Sequence, residues 1–224
     1  MIYEDENVLV LNKPSGLLSI AKGEYCPEPT LEDYGLLVHR LDRDTSGVVI
    51  LAKNPATQKM LRKQFQDRKA HKTYYAIVVG QPKLSEAMID LPIARNLKRP
   101  TTFQVDQNGK PSQTYYKVLV SNEKYSLLEL KPTTGRTHQL RVHLKYLGIP
   151  ILGDAVYGEG TSKSRDKTKS EKEIDRASDQ PHEIPRLFLH AGALEITIPG
   201  PNGGERRTFS APLPPEFNQI IQAK

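Results

Sequence analysis

The five residues Val48-Val49-Ile50-Leu51-Ala52 are all apolar, and they follow directly on a mostly polar stretch, His39-Arg40-Leu41-Asp42-Arg43-Asp44-Thr45-Ser46-Gly47. A short run without a polar face reads as a strand covered on both sides, and this constrains the fold most. A charged loop thus brings two carboxylates, two arginines and a histidine to the entrance of a buried strand, where sites tend to sit. Asp44, Thr45, Ser46 and Gly47 are turn formers, and as a turn they would hold Asp42 at that entrance. The plain alternative is a surface turn whose Asp and Arg side chains neutralise each other.

A chain of 224 residues can bury a sizeable core as one larger or two smaller domains. Charged residues at 26% and a mean hydropathy of −0.54 are those of a soluble protein, and no apolar run approaches bilayer-spanning length. Met1 to Glu6 lacks the basic start and apolar segment of a secretory signal, and shows no Arg-rich transit pattern. With Cys26 as the single cysteine, an intramolecular disulfide and a cysteine-based zinc site are excluded, which fits a reducing cytoplasm. A net charge of +6 favours an anionic partner, of which nucleic acid is the commonest, although many basic proteins bind none.

Ile2 to Glu4 and Val8 to Leu11 read as a hairpin delivering Asn12-Lys13-Pro14-Ser15-Gly16 to a rigid corner, where Lys13 either faces a phosphate or is simply solvated. Residues 22 to 35 read as a loop with one helical turn near Leu31. Asn54-Pro55 supplies an N-cap and a first-turn proline for a helix to about Arg68, with Met60, Leu61 and Phe65 inward and Lys59 and Lys63 outward. His71 to Val79 is rich in β-branched and aromatic residues, so Tyr74 and Tyr75 point to opposite faces, one to the core and one to a cleft. Further strands at Ala87 to Asp90, Thr101 to Val105, Ser112 to Val120 and Tyr125 to Leu130 imply an antiparallel or mixed sheet. Arg95, Lys98 and Arg99 form a basic loop between two of them.

Thr137 is expected to cap a helix carrying Leu140, Leu144 and Leu147 on one face, with Arg136 at its mouth. His138 and His143, five apart, fall on different helical faces and are poor joint metal ligands, so no metal site is expected. Residues 159 to 185 look inserted: from Ser162 to Glu183, six basic residues face six acidic ones, which argues for a mobile, solvated segment and against an RNA-binding arm. Strands at Arg186 to Ala193, Leu194 to Ile198 and Arg206 to Ser210 and a helix from about Pro215 complete the chain.

His39-Arg40-Leu41-Asp42 with Thr45-Ser46-Gly47 closely resembles the catalytic signature of the RluA-type family of RNA pseudouridine synthases. Asn12 to Gly16 looks like that family's N-terminal turn and Lys72-Thr73-Tyr74-Tyr75-Ala76 like its tyrosine strand. Gly135 to His143 is similar to its third motif, Gly153-Asp154 with Tyr157-Gly158 to the loop beyond, and Leu189-His190-Ala191 to a late strand. They occur in the family's order across residues 8 to 191.

The resemblance implies a single α+β catalytic domain spanning 1–224, with a mixed, mainly antiparallel central sheet, flanking helices and a central cleft. It also implies isomerisation of uridine in ribosomal RNA or tRNA to pseudouridine, with neither metal nor organic cofactor. By the same resemblance Asp42 is the essential carboxylate, attacking C1′ or removing the C2′ proton, and Tyr74 lies against the uracil. Burial alone would favour the neutral acid, so an arginine partner is chemically expected. Arg136 matches the family's partner best and Arg141 is the fallback. Leu140 matches an apolar wall of the uracil pocket, and Arg40 either fills the gap left by an extruded base or pairs with Asp44. An S4-type RNA-binding domain, often present in the family, is not expected here, and the chain is expected to act as a cytoplasmic monomer. A non-catalytic RNA-binding or RNA-folding protein keeping the same cleft is the main alternative. A phosphotransferase is disfavoured, because no Gly-rich nucleotide loop or Asp-Phe-Gly accompanies His39-Arg40.

Overall fold

A computed structural model describes residues 1–21, 28–158, 186–201 and 203–222; the expected insertion at 159–185 and Cys26 lie outside the described residues. Strand β4 (Ser46–Ala52) is buried at all seven positions. The cause is alternation between two cores. Val48, Ile50 and Ala52 pack with Val8, Val10, Leu61 and Ile196, whereas Val49 and Leu51 pack with Leu31 and Leu41.

β4 lies antiparallel to β2 (Val8–Lys13) and parallel to β11 (Leu189–Gly200), where His190 faces Ser46 and Ala191 faces Gly47. Ser46 and Gly47 therefore belong to the strand and not to the turn before it. Gly47 has a φ of +112°, and a Cβ there would run into the backbone of Ala191, so only glycine lets the two strands close at this point. The Ser46 hydroxyl meets His190 Nδ1 at 2.8 Å and also accepts a hydrogen bond from Arg186, which ties the strands together polar group to polar group.

The sheet runs β1 (Tyr3–Glu4), β2, β4, β11, β5 (His71–Val79), β10 (Tyr125–Pro132), β9 (Gln113–Ser121) and β6 (Glu86–Asp90), with β12 (Gly203–Ser210) beside β11 and β3 (Leu36–Leu37) beside β4. Among the described pairings in this sheet only β4 with β11 is parallel, so the sheet is mixed and mainly antiparallel as expected. β11 continues through the break expected between Ala193 and Leu194. It absorbs the irregularity as a register shift against β5 between Ala191 and Ala193. Arg95 sits in a strand, β7 (Ile93–Arg95), paired with β8 (Phe103–Val105) as a separate hairpin.

Helix α1 (Pro55–Gln66) begins as the sequence predicts, Asn54 accepting from the Thr57 amide at 2.9 Å. Its Gln64 amide bonds Thr197 in both directions, at 2.7 and 3.0 Å, like a short piece of added strand on β11. Helices α2 (Gln139–Tyr146) and α3 (Pro215–Gln222) cover the other half of the sheet, where Leu140, Leu144 and Phe217 pack with Ile77, Leu128 and Phe188. The N-cap of α2 is His138 rather than Thr137. It holds a φ of 56° and makes no capping bond with its side chain. A cleft of about 460 Å³ opens between the loop before β4, the end of α1, the start of β5 and the N-terminal end of α2. None of the described helices is long and apolar enough to cross a membrane.

Candidate active site

The loop that carries Asp42 is fixed residue by residue. His39 Nε2 accepts the Ile50 amide at 3.1 Å, and its ring stacks on Phe65 at 4.5 Å between centroids. Burial, and then the nearby Lys72 charge, push His39 down to about 3, so it stays neutral and keeps its acceptor. The Ser19 hydroxyl bonds the carbonyl and amide of Leu41. The Thr45 amide turns back to the Asp42 carbonyl at 3.1 Å, and the Gly16 amide reaches the Arg43 carbonyl at 3.0 Å.

Lys13 completes this brace, and here the expectation of a phosphate-facing lysine is corrected. Only 1% of it is exposed, and its ammonium donates to the carbonyls of Pro14 at 3.0 Å, Leu17 at 2.7 Å and Arg43 at 2.7 Å. A buried ammonium needs all three of its protons accepted, and this corner of the chain accepts them. The Asn12 to Gly16 turn is thus the clamp on the loop bearing Asp42.

Asp42 projects into the cleft with its side chain 21% exposed. Arg141 Nη1 approaches its Oδ2 at 3.4 Å and His138 Nε2 approaches the same oxygen at 3.8 Å. The guanidinium is itself held from behind, Nε and Nη2 donating to the two Asp154 oxygens at 2.8 and 2.7 Å. Asp154 is fully buried on its side chain and also accepts the amides of Val156 and Tyr157, both at 2.9 Å. Burial alone would raise its pKa, but the Arg141 bonds and charge, with these amides, outweigh burial and hold it below the usual carboxylate range. A forked arginine saturated on one side by Asp154 presents its remaining nitrogen to Asp42 in a fixed direction.

Arg136, expected first as the partner of Asp42, does not take that place; its Nε donates to the Pro111 carbonyl at 3.3 Å while it lines the cleft wall. The reason is positional. Arg136 precedes α2, whereas Arg141 lies within its first turn, and helical side chains lean back toward the N-terminus, here toward Asp42. The other acid of the loop, Asp44, is paired with Arg43 at 2.9 Å. Arg40 is exposed on the cleft rim and is not the partner of Asp44.

Tyr74 lines the cleft, and Leu140 does so from its seat in the core beneath α2. Burial, and then the charge of Asp42, push the Tyr74 phenol well above its usual value, so it stands as a neutral O–H at ordinary pH. Tyr75, on the opposite face, packs its ring where Gly192 leaves room. Lys72 enters the same cleft, donating to the Thr134 carbonyl at 3.3 Å; burial pulls it down to about 8. Among the described residues lining the cleft, Asp42 is the one carboxylate, set among Arg40, Arg68, Lys72, Arg136 and Arg141. Such a cavity suits an anionic ligand whose reacting centre meets a single acid. Among the described residues no three His, Cys, Asp or Glu side chains gather as a metal site would need.

Sequence reasoning assigned no site role to Asp154, Tyr157, His39 or Lys72, and weighed His138 only as a metal ligand. The signal for Asp154 and Tyr157 was present in Gly153-Asp154 and Tyr157-Gly158, stretches noted without a role.

The model of the RNA pseudouridylate synthase family matches residues 7–146. The chain is 45% identical to the ribosomal large subunit pseudouridine synthase D of Borreliella burgdorferi, over 97% of this chain and 66% of that protein. It is 38% identical to the dual-specificity RNA pseudouridine synthase RluA of Escherichia coli K12, over 95% of this chain and 92% of that one. The chain therefore spans about two thirds of the first of these relatives and nearly all of the second. Among solved structures, the human RNA pseudouridylate synthase domain containing 4 superposes with a TM-score of 0.72 at 28% identity, covering 97% of this chain and 89% of that one. With the motifs in family order and the cleft built from them, the chain belongs to the RluA-type family of RNA pseudouridine synthases, isomerases that convert uridine in RNA to pseudouridine.

Proposed function

We propose that this chain isomerises specific uridines of ribosomal RNA or tRNA to pseudouridine, with Asp42 as the reacting carboxylate and neither metal nor organic cofactor. The observation that carries this reading is the single acid, Asp42, aimed into a cleft otherwise lined by five cationic side chains. The cations suit phosphates flanking an extruded nucleotide, since a uridine inside folded RNA must leave its stack before a side chain can reach its sugar. The Asp42 side chain, with Arg141 behind it, then acts at C1′ or on the C2′ proton. The N1–C1′ bond breaks, the uracil turns, C5 bonds to C1′ as Asp42 leaves C1′ or returns the C2′ proton, and the C5 proton is lost as N1 gains one. The neutral Tyr74 hydroxyl, which shares the cleft with Asp42, would hold the uracil and exchange such a proton. Leu140 forms the apolar wall, and Arg40 and Arg136 meet the RNA from the rim and wall of the cleft. The protein works in the cytoplasm as a monomer.

The test is a site-resolved map of pseudouridine in wild-type cells and in cells lacking the gene, with purified protein assayed on bulk RNA in the presence of EDTA. One or more sites should vanish from the map and be restored in vitro by the wild type but not by Asp42→Ala. An unchanged map together with no activity on bulk RNA would favour the non-catalytic RNA-binding alternative and end this proposal.

A further inference from the structure

His138 is a residue other than glycine held at φ 56°, a conformation that costs free energy unless its surroundings impose it. What imposes it is visible. Its Nδ1 lies 2.8 Å from the Tyr157 hydroxyl, and its ring is flanked edge-on by Phe103 at 5.7 Å and Tyr157 at 5.5 Å. The Tyr157 oxygen already accepts the Phe103 amide at 2.9 Å, leaving its own proton free to donate. Given to Nδ1, that proton fixes the tautomer, placing the imidazole proton on Nε2, the nitrogen facing Asp42 Oδ2 at 3.8 Å.

We propose that His138 is a positioning residue for Asp42, kept in the neutral Nε2–H form by Tyr157 so that it and Arg141 together aim one carboxylate oxygen and leave the other for the sugar. This rests on the reading of Asp42 as the reacting group. The charged and titratable groups facing the ring are Asp42 and Arg40 from the loop before β4, Arg141 from α2, and Asp154 and Tyr157 from the loop beyond it. The hairpin of β7 and β8 contributes the Phe103 ring, with Arg95 over it at 5.4 Å. Burial outweighs the attraction of Asp42 and lowers the histidine below its usual value, so the neutral form prevails at physiological pH. Protonation in acid turns the contact into an ion pair that ties up the carboxylate.

The experiment compares the wild type with His138→Asn and His138→Gln on RNA carrying the mapped target uridine. Asparagine tolerates positive φ but places its amide nitrogen near the Nδ1 position, while glutamine returns a donor to the Nε2 position. His138→Asn should lose about 30-fold or more in kcat with KM changed less than about threefold, an effect of the size that misaligned reacting groups produce. His138→Gln should recover most of that loss. The wild-type kcat should fall in acid through an ionisation below the ordinary histidine value, and that limb should be missing in His138→Gln. Equal losses in both variants, or full activity in His138→Asn, overturn the proposal. Because Tyr157→Phe keeps the ring packing and loses the hydroxyl, it should shift the acid limb without changing KM; an unmoved limb counts against the proposal. Wild-type kcat in Asp42→Asn would instead sink the underlying reading of Asp42, and the proposal with it.

Discussion

Arg141 Nη1 meets Asp42 Oδ2 at 3.4 Å, although 98 residues separate the two in the chain. The contact is long for a charge-assisted hydrogen bond, but its direction is set by the two short bonds from Arg141 to Asp154. Arg141→Lys keeps the charge and loses the fork, so it cannot serve both carboxylates at once. Its single-turnover rate on target RNA should fall about 100-fold with the fold intact. Arg141→Ala should also lower the free energy of urea unfolding by about 3 kcal/mol or more, because it strands the buried Asp154 charge. Arg136→Ala should instead raise KM and leave the single-turnover rate near the wild-type value. Equal rates in Arg141→Lys and Arg136→Ala would return Arg136 to the place the sequence first gave it.

Lys13 is a lysine whose work is structural, and its removal should read out as stability before anything else. In Lys13→Met the carbonyls of Pro14, Leu17 and Arg43 lose the ammonium they share, and only that of Arg43 keeps a second donor, the Gly16 amide, a change that costs about 2 kcal/mol on typical values for hydrogen bonds to a charged group. Thermal unfolding should show the midpoint several degrees lower. Turnover should fall as well, since Arg43 directly follows Asp42. A variant as stable as the wild type but weakened in RNA affinity would show that Lys13 contacts phosphate after all.

What was legible in the sequence was local. The apolar run at Val48 and the Asn54-Pro55 cap each carry their signal within a few residues, and the structure returns β4 and α1 nearly where they were expected. Asp42 was separable from Asp44 only through the order of motifs around it. Nothing local reveals that Asp154 saturates one side of Arg141, because that pairing exists only once the loop after α2 folds back over the helix. Lys13 misled for a related reason: a lysine in a Pro-Gly turn reads as solvated unless the carbonyls that will surround it are known. Helical periodicity says nothing about His138, which stands outside the helix in a left-handed conformation.

Lys72 gives the cleft a pH dependence of known sign. Its folded-state value lies near 8, well below the 10.5 of a free lysine, because burial disfavours the ammonium. Below about 8 the cleft carries that charge, and as pH rises through 8 the charge is lost in the folded protein while an unfolded chain would keep it. Affinity for RNA should therefore be flat up to that point and then weaken by about tenfold toward pH 9, the usual worth of one charge-assisted contact. Over the same interval Lys72 makes the folded protein more stable, since the unfolded state binds the extra proton. Opposite trends in affinity and stability separate this effect from alkaline unfolding. Lys72→Arg keeps its charge throughout and should flatten the affinity curve measured by fluorescence anisotropy. Lys13 also titrates near 8, so an undiminished slope in Lys72→Arg would move the effect from the cleft to the brace behind Asp42.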